Sequence, residues 1–156
     1  MSVPDTEYKV TTKTVLIIED DPDMNELMSM VMEQSGFVAF SAFDWNEAYK
    51  ILNERTPDLI LLDFMLPDAN GSDICRAIAK DGHLSAIPII MVSTLRDLPT
   101  KVSSLLAGAV KFMSKPFSFD ELVNAAEQAL KKRTDNVSIW EEISNITHKN
   151  GGDNGS

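Results

Sequence analysis

The sequence predicts an α/β fold: a doubly wound parallel sheet with helices on both faces. Five short apolar runs alternate with five helix-like segments, and parallel strands need crossovers of this kind. The run at residues 58–62 holds four consecutive apolar residues between Pro57 and Pro67, which is typical of a strand buried on both faces. The length of 156 residues suits one domain with a sizeable core.

The first strand and helix follow from a β-branched run and a capped start. Residues 15–18 are apolar and end in three acids, of which Asp21 is the predicted N-cap. Pro22 suits the first helical position. Gly36 predicts the end of this helix, and residues 37–40 form the second predicted strand.

The middle of the chain repeats this pattern. Asp44 and Glu47 resemble a capping box for the second helix, and the central strand follows it. Ile74, Ala77 and Ile78 are predicted to face the core from the third helix. Residues 89–92 then form the fourth predicted strand.

The pattern in the last third of the chain predicts a helix, a strand at the sheet edge and a long final helix. Pro99 limits the fourth helix to a start near Asp97. Residues 109–113 are of mixed character and predict a strand at the sheet edge. Ser118 and Glu121 form another capping box. The domain is predicted to span residues 14–133, after a flexible lead-in at 1–13 and before a tail or linker at 134–156.

Composition excludes several classes of function. Lys and Arg number 14 against 24 Asp and Glu, a net charge of −10, which argues against gripping nucleic acid or an anionic membrane. No stretch approaches the roughly 20 apolar residues of a membrane span, and the N-terminus lacks a signal-peptide core. Cys75 is the one cysteine, so no intrachain disulfide forms. The cytoplasm is the expected location.

Polar side chains stand where the predicted strands end. Glu19 and Asp20 follow the first strand, Asp63 ends the third, Ser93 ends the fourth and Lys115 follows the fifth. In open α/β sheets, ligands bind outside the carboxyl ends of the strands. Three carboxylates without His or Cys favour a hard ion such as Mg²⁺, and a lysine is a typical phosphate partner. These groups suit phosphoryl transfer onto a carboxylate.

With these motifs in order, the chain resembles a response-regulator receiver domain of two-component signalling. The resemblance covers roughly residues 14–133. The matching segments are residues 15–21, residues 57–63, residues 65–67 with Gly71, residues 88–93, Gly108 with Ala109, and residues 115–117. Each segment alone is weak evidence. It is their order, each at a strand end, that makes the signal specific.

The resemblance implies a role for each matching residue. Asp63 corresponds to the aspartate that accepts the phosphoryl group, Asp20 to a direct Mg²⁺ ligand and Glu19 to a ligand acting through water. The backbone carbonyl of Met65 corresponds to a further metal ligand. Ser93 corresponds to the hydroxyl that moves toward the phosphoryl group.

Two further roles and the topology also rest on the resemblance. Lys115 corresponds to the lysine that pairs with the phosphoryl group, and its bond to Pro116 is expected to be cis. Phe112 corresponds to an aromatic residue that swings inward when Ser93 moves. The implied fold is flavodoxin-like, with strand order 2-1-3-4-5.

The implied function is a switch rather than an enzyme in the usual sense. A sensor histidine kinase or a phosphotransfer protein would supply the phosphoryl group. The domain would catalyse its own phosphorylation and dephosphorylation and regulate an unknown partner. A phosphorylation-dependent homodimer stays open, because Val110 and Lys111 replace an acidic pair common in the family.

Two alternatives stay open beside this interpretation. One is a Mg²⁺-dependent phosphatase with an aspartyl nucleophile, although residues 63–65 lack the second aspartate of the pattern those enzymes share. The other is a degenerate receiver that only binds partners, against which the complete set of site residues argues.

The resemblance also marks two positions that flank the approach of water to Asp63. They are Met65 and Leu95, both apolar. Because neither can orient a water molecule by hydrogen bonding, the sequence predicts a long-lived acyl phosphate. If Leu95 turned into the core instead, the approach would be open.

Overall fold

The computed structural model describes residues 12–135, together with Ile143 and Ile146. Most of the predicted lead-in and tail therefore lies outside the described residues. The elements are β1 (Thr14–Ile18), α1 (Pro22–Gln34), β2 (Val38–Ala42), α2 (Trp45–Glu54), β3 (Leu59–Asp63), α3 (Gly71–Lys80), β4 (Ile89–Ser93), α4 (Leu98–Ala107), β5 (Lys111–Ser114) and α5 (Phe119–Asp135).

The five strands form one parallel sheet in the order β2-β1-β3-β4-β5, which confirms the predicted fold class and topology. β3 lies in the centre, and all five of its residues are buried. Two apolar layers cover the sheet, because successive strand residues face opposite sides. Ile60 and Leu62 point toward α2, α3 and α4, whereas Leu59 and Leu61 point toward α1 and α5.

The helix starts follow the predicted capping chemistry. Asp21 accepts a hydrogen bond from the amide of Asp23 (3.1 Å), and Asp44 accepts one from Glu47 (2.8 Å). Ser118 accepts one from Glu121 (3.1 Å). Each cap satisfies a first-turn N–H that lacks a partner inside its helix.

Strand bounds and one helix face differ from the prediction. β2 runs to Ala42, because the Ala42 carbonyl accepts a hydrogen bond from the Glu19 amide, while Phe37 bonds back to α1. β5 begins at Lys111, since Ala109 still bonds to the end of α4. The prediction that Ala77 faces the core is wrong, because this residue is exposed. Among the helices of the described residues, none combines the length and hydropathy of a membrane span.

Candidate functional site

The candidate site lies at the edge of the sheet where the parallel strands end. Asp63 is the last residue of β3, and Ser93 is the last residue of the neighbouring β4. Glu19 follows β1 directly, and Lys115 follows β5. Because β1, β3, β4 and β5 are consecutive neighbours in the sheet, their polar termini share one edge.

Three carboxylates form a cluster at this edge. Oxygen atoms of Glu19, Asp20 and Asp63 all lie within 4.8 Å of one another. Glu19 and Asp63 are buried, whereas Asp20 is exposed. The cluster therefore has a dry inner side and an open outer side, and its ligand atoms are all hard oxygens of the kind that Mg²⁺ prefers.

Lys115 supplies the positive charge for the two buried carboxylates. Its Nζ forms an ion pair with Oε1 of Glu19 and lies 3.7 Å from Oδ2 of Asp63. The side chain of Lys115 is only 12% exposed, so solvent screens these interactions weakly. One ammonium group thus faces two buried negative charges, which leaves the cluster short of positive charge.

The shortage of positive charge appears in the pKa of both carboxyls. Burial raises the pKa of Asp63 to about 7, and the hydrogen bond with Glu19 and the negative charge of Glu19 add to this effect. Burial also opposes ionisation of Glu19, but hydrogen bonds involving Lys115 and Asp63 outweigh it and lower the pKa of Glu19. Without a metal ion, burial and the neighbouring Glu19 therefore favour the protonated form of Asp63.

The β3–α3 loop, residues 64–70, borders the cluster on one side. The Met65 amide donates a hydrogen bond to Oδ1 of Asp63 (3.3 Å), which places the backbone of Met65 beside the acceptor carboxylate. The side chain of Met65 is 59% exposed. The position of Met65 agrees with a ligand role for its carbonyl, which stays a prediction.

The β4–α4 connection, residues 94–97, borders the cluster on the other side. Ser93 is buried, and its Oγ accepts a hydrogen bond from the Leu95 amide (3.1 Å). Its carbonyl accepts one from the Lys115 amide (2.9 Å), which ties the ends of β4 and β5 together. Leu95 is 36% exposed and does not turn into the core.

Phe112 and the Lys115–Pro116 bond complete the predicted set. Phe112 lies on β5, half-buried against the apolar layer on the α2–α4 side of the sheet. The Lys115–Pro116 peptide bond is cis, as the resemblance implied. The structure thus brings Glu19, Asp20, Asp63 and Lys115 into one cluster and places Ser93 beside it, with Phe112 farther along β5.

Sequence reasoning missed two residues that hold the site in place. Asn25 is buried and donates from Nδ2 to the carbonyls of Glu19 (3.0 Å) and Ala42 (3.2 Å), which joins the ends of β1 and β2. The sequence did contain a signal for Asn25, because this polar residue lies on the same helical stripe as Met28 and Met32, where an apolar residue is the norm. Asp68 accepts hydrogen bonds from the amides of Trp45 and Asn46, and it gave no such signal because these partners are 23 and 22 residues away.

Comparisons with known proteins agree with this geometry. The family model described as the response regulator receiver domain matches residues 15–127. The DNA-binding response regulator MtrA of Mycolicibacterium smegmatis is 36% identical over 132 residues, which cover 85% of this chain and 57% of that protein. The phosphate regulon transcriptional regulatory protein PhoB of Pseudomonas aeruginosa is 34% identical over 120 residues, covering 77% of this chain and 52% of that protein.

A solved structure gives the same result at the level of the fold. The receiver domain of NtrX from Brucella abortus superposes with a TM-score of 0.70 at 31% identity, covering 75% of this chain and 98% of that structure. The chain belongs to the response-regulator receiver domain family of two-component systems. It spans about half the length of the curated relatives it matches.

Proposed function

We propose that this domain is a phosphorylation-driven switch in which Asp63 accepts a phosphoryl group. The observation that carries this proposal is the acidic cluster at the end of β3, faced by the ammonium group of Lys115. A sensor histidine kinase or a phosphotransfer protein would be the donor, as family membership suggests. The relatives are named as regulators rather than as enzymes, which supports a signalling role.

The cluster suits Mg²⁺ by its chemistry. Its donors are the carboxylate oxygens of Glu19, Asp20 and Asp63. Asp20 and Asp63 would bind the ion directly, Glu19 would act through water, and the Met65 carbonyl would be a further ligand. Bound Mg²⁺ would neutralise the charge that develops on the transferring phosphoryl group. A carboxyl with a pKa near 7 is partly blocked by its proton, so a nearby cation would also favour the ionised, nucleophilic form of Asp63.

The proposed transfer moves the phosphoryl group from a histidine of the donor to Asp63. A carboxylate oxygen of Asp63 attacks phosphorus, the bond from phosphorus to the donor's histidine nitrogen breaks, and the imidazole takes up a proton. Lys115 pairs with the phosphoryl oxygens, because its Nζ already lies near Oδ2 of Asp63. The Ser93 hydroxyl can donate its own hydrogen to the phosphoryl group while accepting from the Leu95 amide.

The output of the switch is conformational. Movement of Ser93 toward the phosphoryl group would draw Phe112 inward and alter the surface around β5. A phosphorylation-dependent homodimer and a regulated partner are both compatible with such a change. DNA binding is named for MtrA, not for this chain, and the predicted cytoplasmic location stays a prediction.

Intact-mass spectrometry with acetyl phosphate and MgCl₂ tests the acceptor. The wild type should gain one phosphoryl group and Asp63→Asn none. The control Asp73→Asn, at an exposed residue in the first turn of α3, should be labelled like the wild type. Stable labelling of Asp63→Asn would show that the acceptor is another residue. No labelling of the wild type would favour the degenerate receiver, and steady turnover of a general phosphatase substrate would favour the phosphatase.

Thermal denaturation with and without MgCl₂ tests the metal site. At free Mg²⁺ about a hundredfold above its dissociation constant, linkage adds roughly 2.7 kcal/mol to the free energy of unfolding. Asp20→Ala loses a direct ligand and should respond less. An equal response of both proteins would exclude Asp20 from the site.

A further inference from the structure

Asp68 fastens the β3–α3 loop to a different part of the molecule. Its two carboxylate oxygens accept hydrogen bonds from the backbone amides of Trp45 (2.9 Å) and Asn46 (3.0 Å), the first two residues of α2. The first amides of a helix lack partners within the helix and carry partial positive charge. The unpartnered amides and the partial positive charge both favour a carboxylate at the start of α2.

α2 has its own cap, so it does not depend on Asp68 for its start. Asp44 accepts a hydrogen bond from the Glu47 amide (2.8 Å), and the Glu47 carboxylate accepts one from the Phe43 amide (2.8 Å). These contacts are local in sequence. The partners of Asp68 lie 23 and 22 residues away in sequence. The contact of Asp68 therefore differs from the local caps in holding the β3–α3 loop against α2.

Asp68 lies at the tip of a tight turn that carries Met65. The Leu66 amide donates to the Ala69 carbonyl (3.2 Å), and Met65 pairs with Asn70 in an isolated bridge. The base of the turn is fixed where Met65 donates to Asp63. Anchoring both the tip and the base limits how far the backbone of Met65 can move.

The Asp68 contact closes a ring of bonds around the acidic cluster. From Glu19 the ring passes to the Ala42 carbonyl (3.0 Å) and along the β2–α2 connection to Trp45. Asp68 then joins it to the β3–α3 loop, which returns to Asp63 through Met65. The β2–α2 connection and the β3–α3 loop are therefore linked by a contact outside the sheet.

We propose that Asp68 is a positioning residue that sets the metal affinity of the site by fixing the Met65 loop against the start of α2. This inference rests on the proposed function, because it requires that the cluster bind Mg²⁺. Residues that orient metal ligands from outside typically account for tenfold or more in affinity. Loss of the Asp68 carboxylate should therefore weaken Mg²⁺ binding about tenfold.

The test is a MgCl₂ titration followed by ¹H–¹⁵N NMR of the wild type, Asp68→Ala, Asp68→Asn and Asp44→Ala. Asp44→Ala is the matched control, because it removes one negative charge and one cap from the same helix end without touching the loop. Both alanine variants should melt a few degrees lower. Only Asp68→Ala should lose about tenfold in Mg²⁺ affinity, with Asp68→Asn between it and the wild type.

The outcomes separate this inference from the proposed function. If the wild type binds Mg²⁺ and Asp68→Ala binds it equally well, Asp68 is a cap alone. Equal weakening in Asp44→Ala and Asp68→Ala would show an effect of charge, which also overturns the inference. If the wild type shows no Mg²⁺-dependent shifts around Asp63, the metal site fails and this inference fails with it.

Discussion

The two sides of the candidate site are built differently. On the acidic side, hydrogen bonds cross between elements: Glu19 to Ala42, and Asp68 to the start of α2. On the side of Ser93, the described bonds of residues 94–97 stay within the connection and its own helix, as Leu95 to Ser93 and Asp97 to Thr100 show. Residues 94–97 thus lack such a bond to another element in the described part of the chain, although the Ser93 carbonyl itself is bonded to the Lys115 amide.

This difference matches two tasks. A metal site needs ligands held in place before the ion arrives, because ordering them on binding would cost affinity. A switch needs a segment whose local contacts can be exchanged at low cost. Thr94, Leu95 and Arg96 are exposed, so a displacement of these three residues disturbs little packing. We infer that the acidic side binds the metal ion, and that the side of Ser93 moves when the switch is activated.

The largest expected effect comes from removing Lys115, the cation that both buried acids share among the described residues. Lys115→Met leaves Glu19 and Asp63 facing each other without an ammonium group. The free energy of unfolding without metal should fall by about 3 kcal/mol, as for other broken buried ion pairs. Urea denaturation measures this, with the exposed Lys80→Met as control. A loss no greater than that of the control would show that Lys115 does not hold the site together.

The tight packing of the acidic side can be broken at Gly71. A Cβ there would lie 2.6 Å from the Met91 sulfur and 2.9 Å from the Phe64 Cα, so the backbone itself must shift. Gly71→Ala should cost about 2 kcal/mol of stability. Gly82→Ala, where a Cβ meets nothing within 4 Å, should change stability by less than about 0.5 kcal/mol. Similar melting temperatures for the two variants would contradict this packing argument.

The burial of Asp63 and its repulsion by Glu19 predict a pH dependence in the metal-free protein. The folded pKa of Asp63, about 7, lies above its ordinary value of 3.8. Its contribution to stability is therefore fully present below about pH 4 and lost as the pH rises toward 7. Relative to Asp63→Asn, the wild type should lose on the order of 1–3 kcal/mol across this window.

Urea denaturation of both proteins at several pH values measures this difference. Glu19, whose pKa is lowered partly by its hydrogen bond with Asp63, contributes in the opposite direction, so the comparison reports the titration of the pair formed by Asp63 and Glu19. Saturating MgCl₂ should flatten the difference, because a bound cation favours the ionised carboxylate. A difference that does not vary with pH would mean that Asp63 is ionised throughout.

The smallest expected effect concerns the lifetime of the acyl phosphate. Met65 and Leu95 are both exposed, one on each side of the site, and neither can hold a water in line with Asp63. Met65→Asn/Leu95→Glu should lose the phosphoryl group about threefold faster, equivalent to roughly 0.7 kcal/mol in the barrier. Decay of intact mass over time gives the rates. Decay at or below the wild-type rate would remove these side chains from the control of hydrolysis.

Local patterns predicted most of the fold. The apolar run of β3 and the caps Asp21 and Asp44 depend on neighbours in sequence, and the structure agrees with them. Strand ends were less certain, because Ala42 joins β2 through a bond to Glu19, 23 residues earlier. Ala77 was misplaced because an alanine is small enough to lie on either face of a helix.

The sequence by itself determined the chemistry of the site: which acids, which lysine and which hydroxyl stand at strand ends. Only the tertiary structure decided how they share charge. The pKa of Asp63 near 7 depends on burial and on the distances to Glu19 and Lys115, which no local pattern encodes. The anchor provided by Asp68 was equally hidden, because an exposed acid in a loop is ordinary until its two partners on α2 are seen.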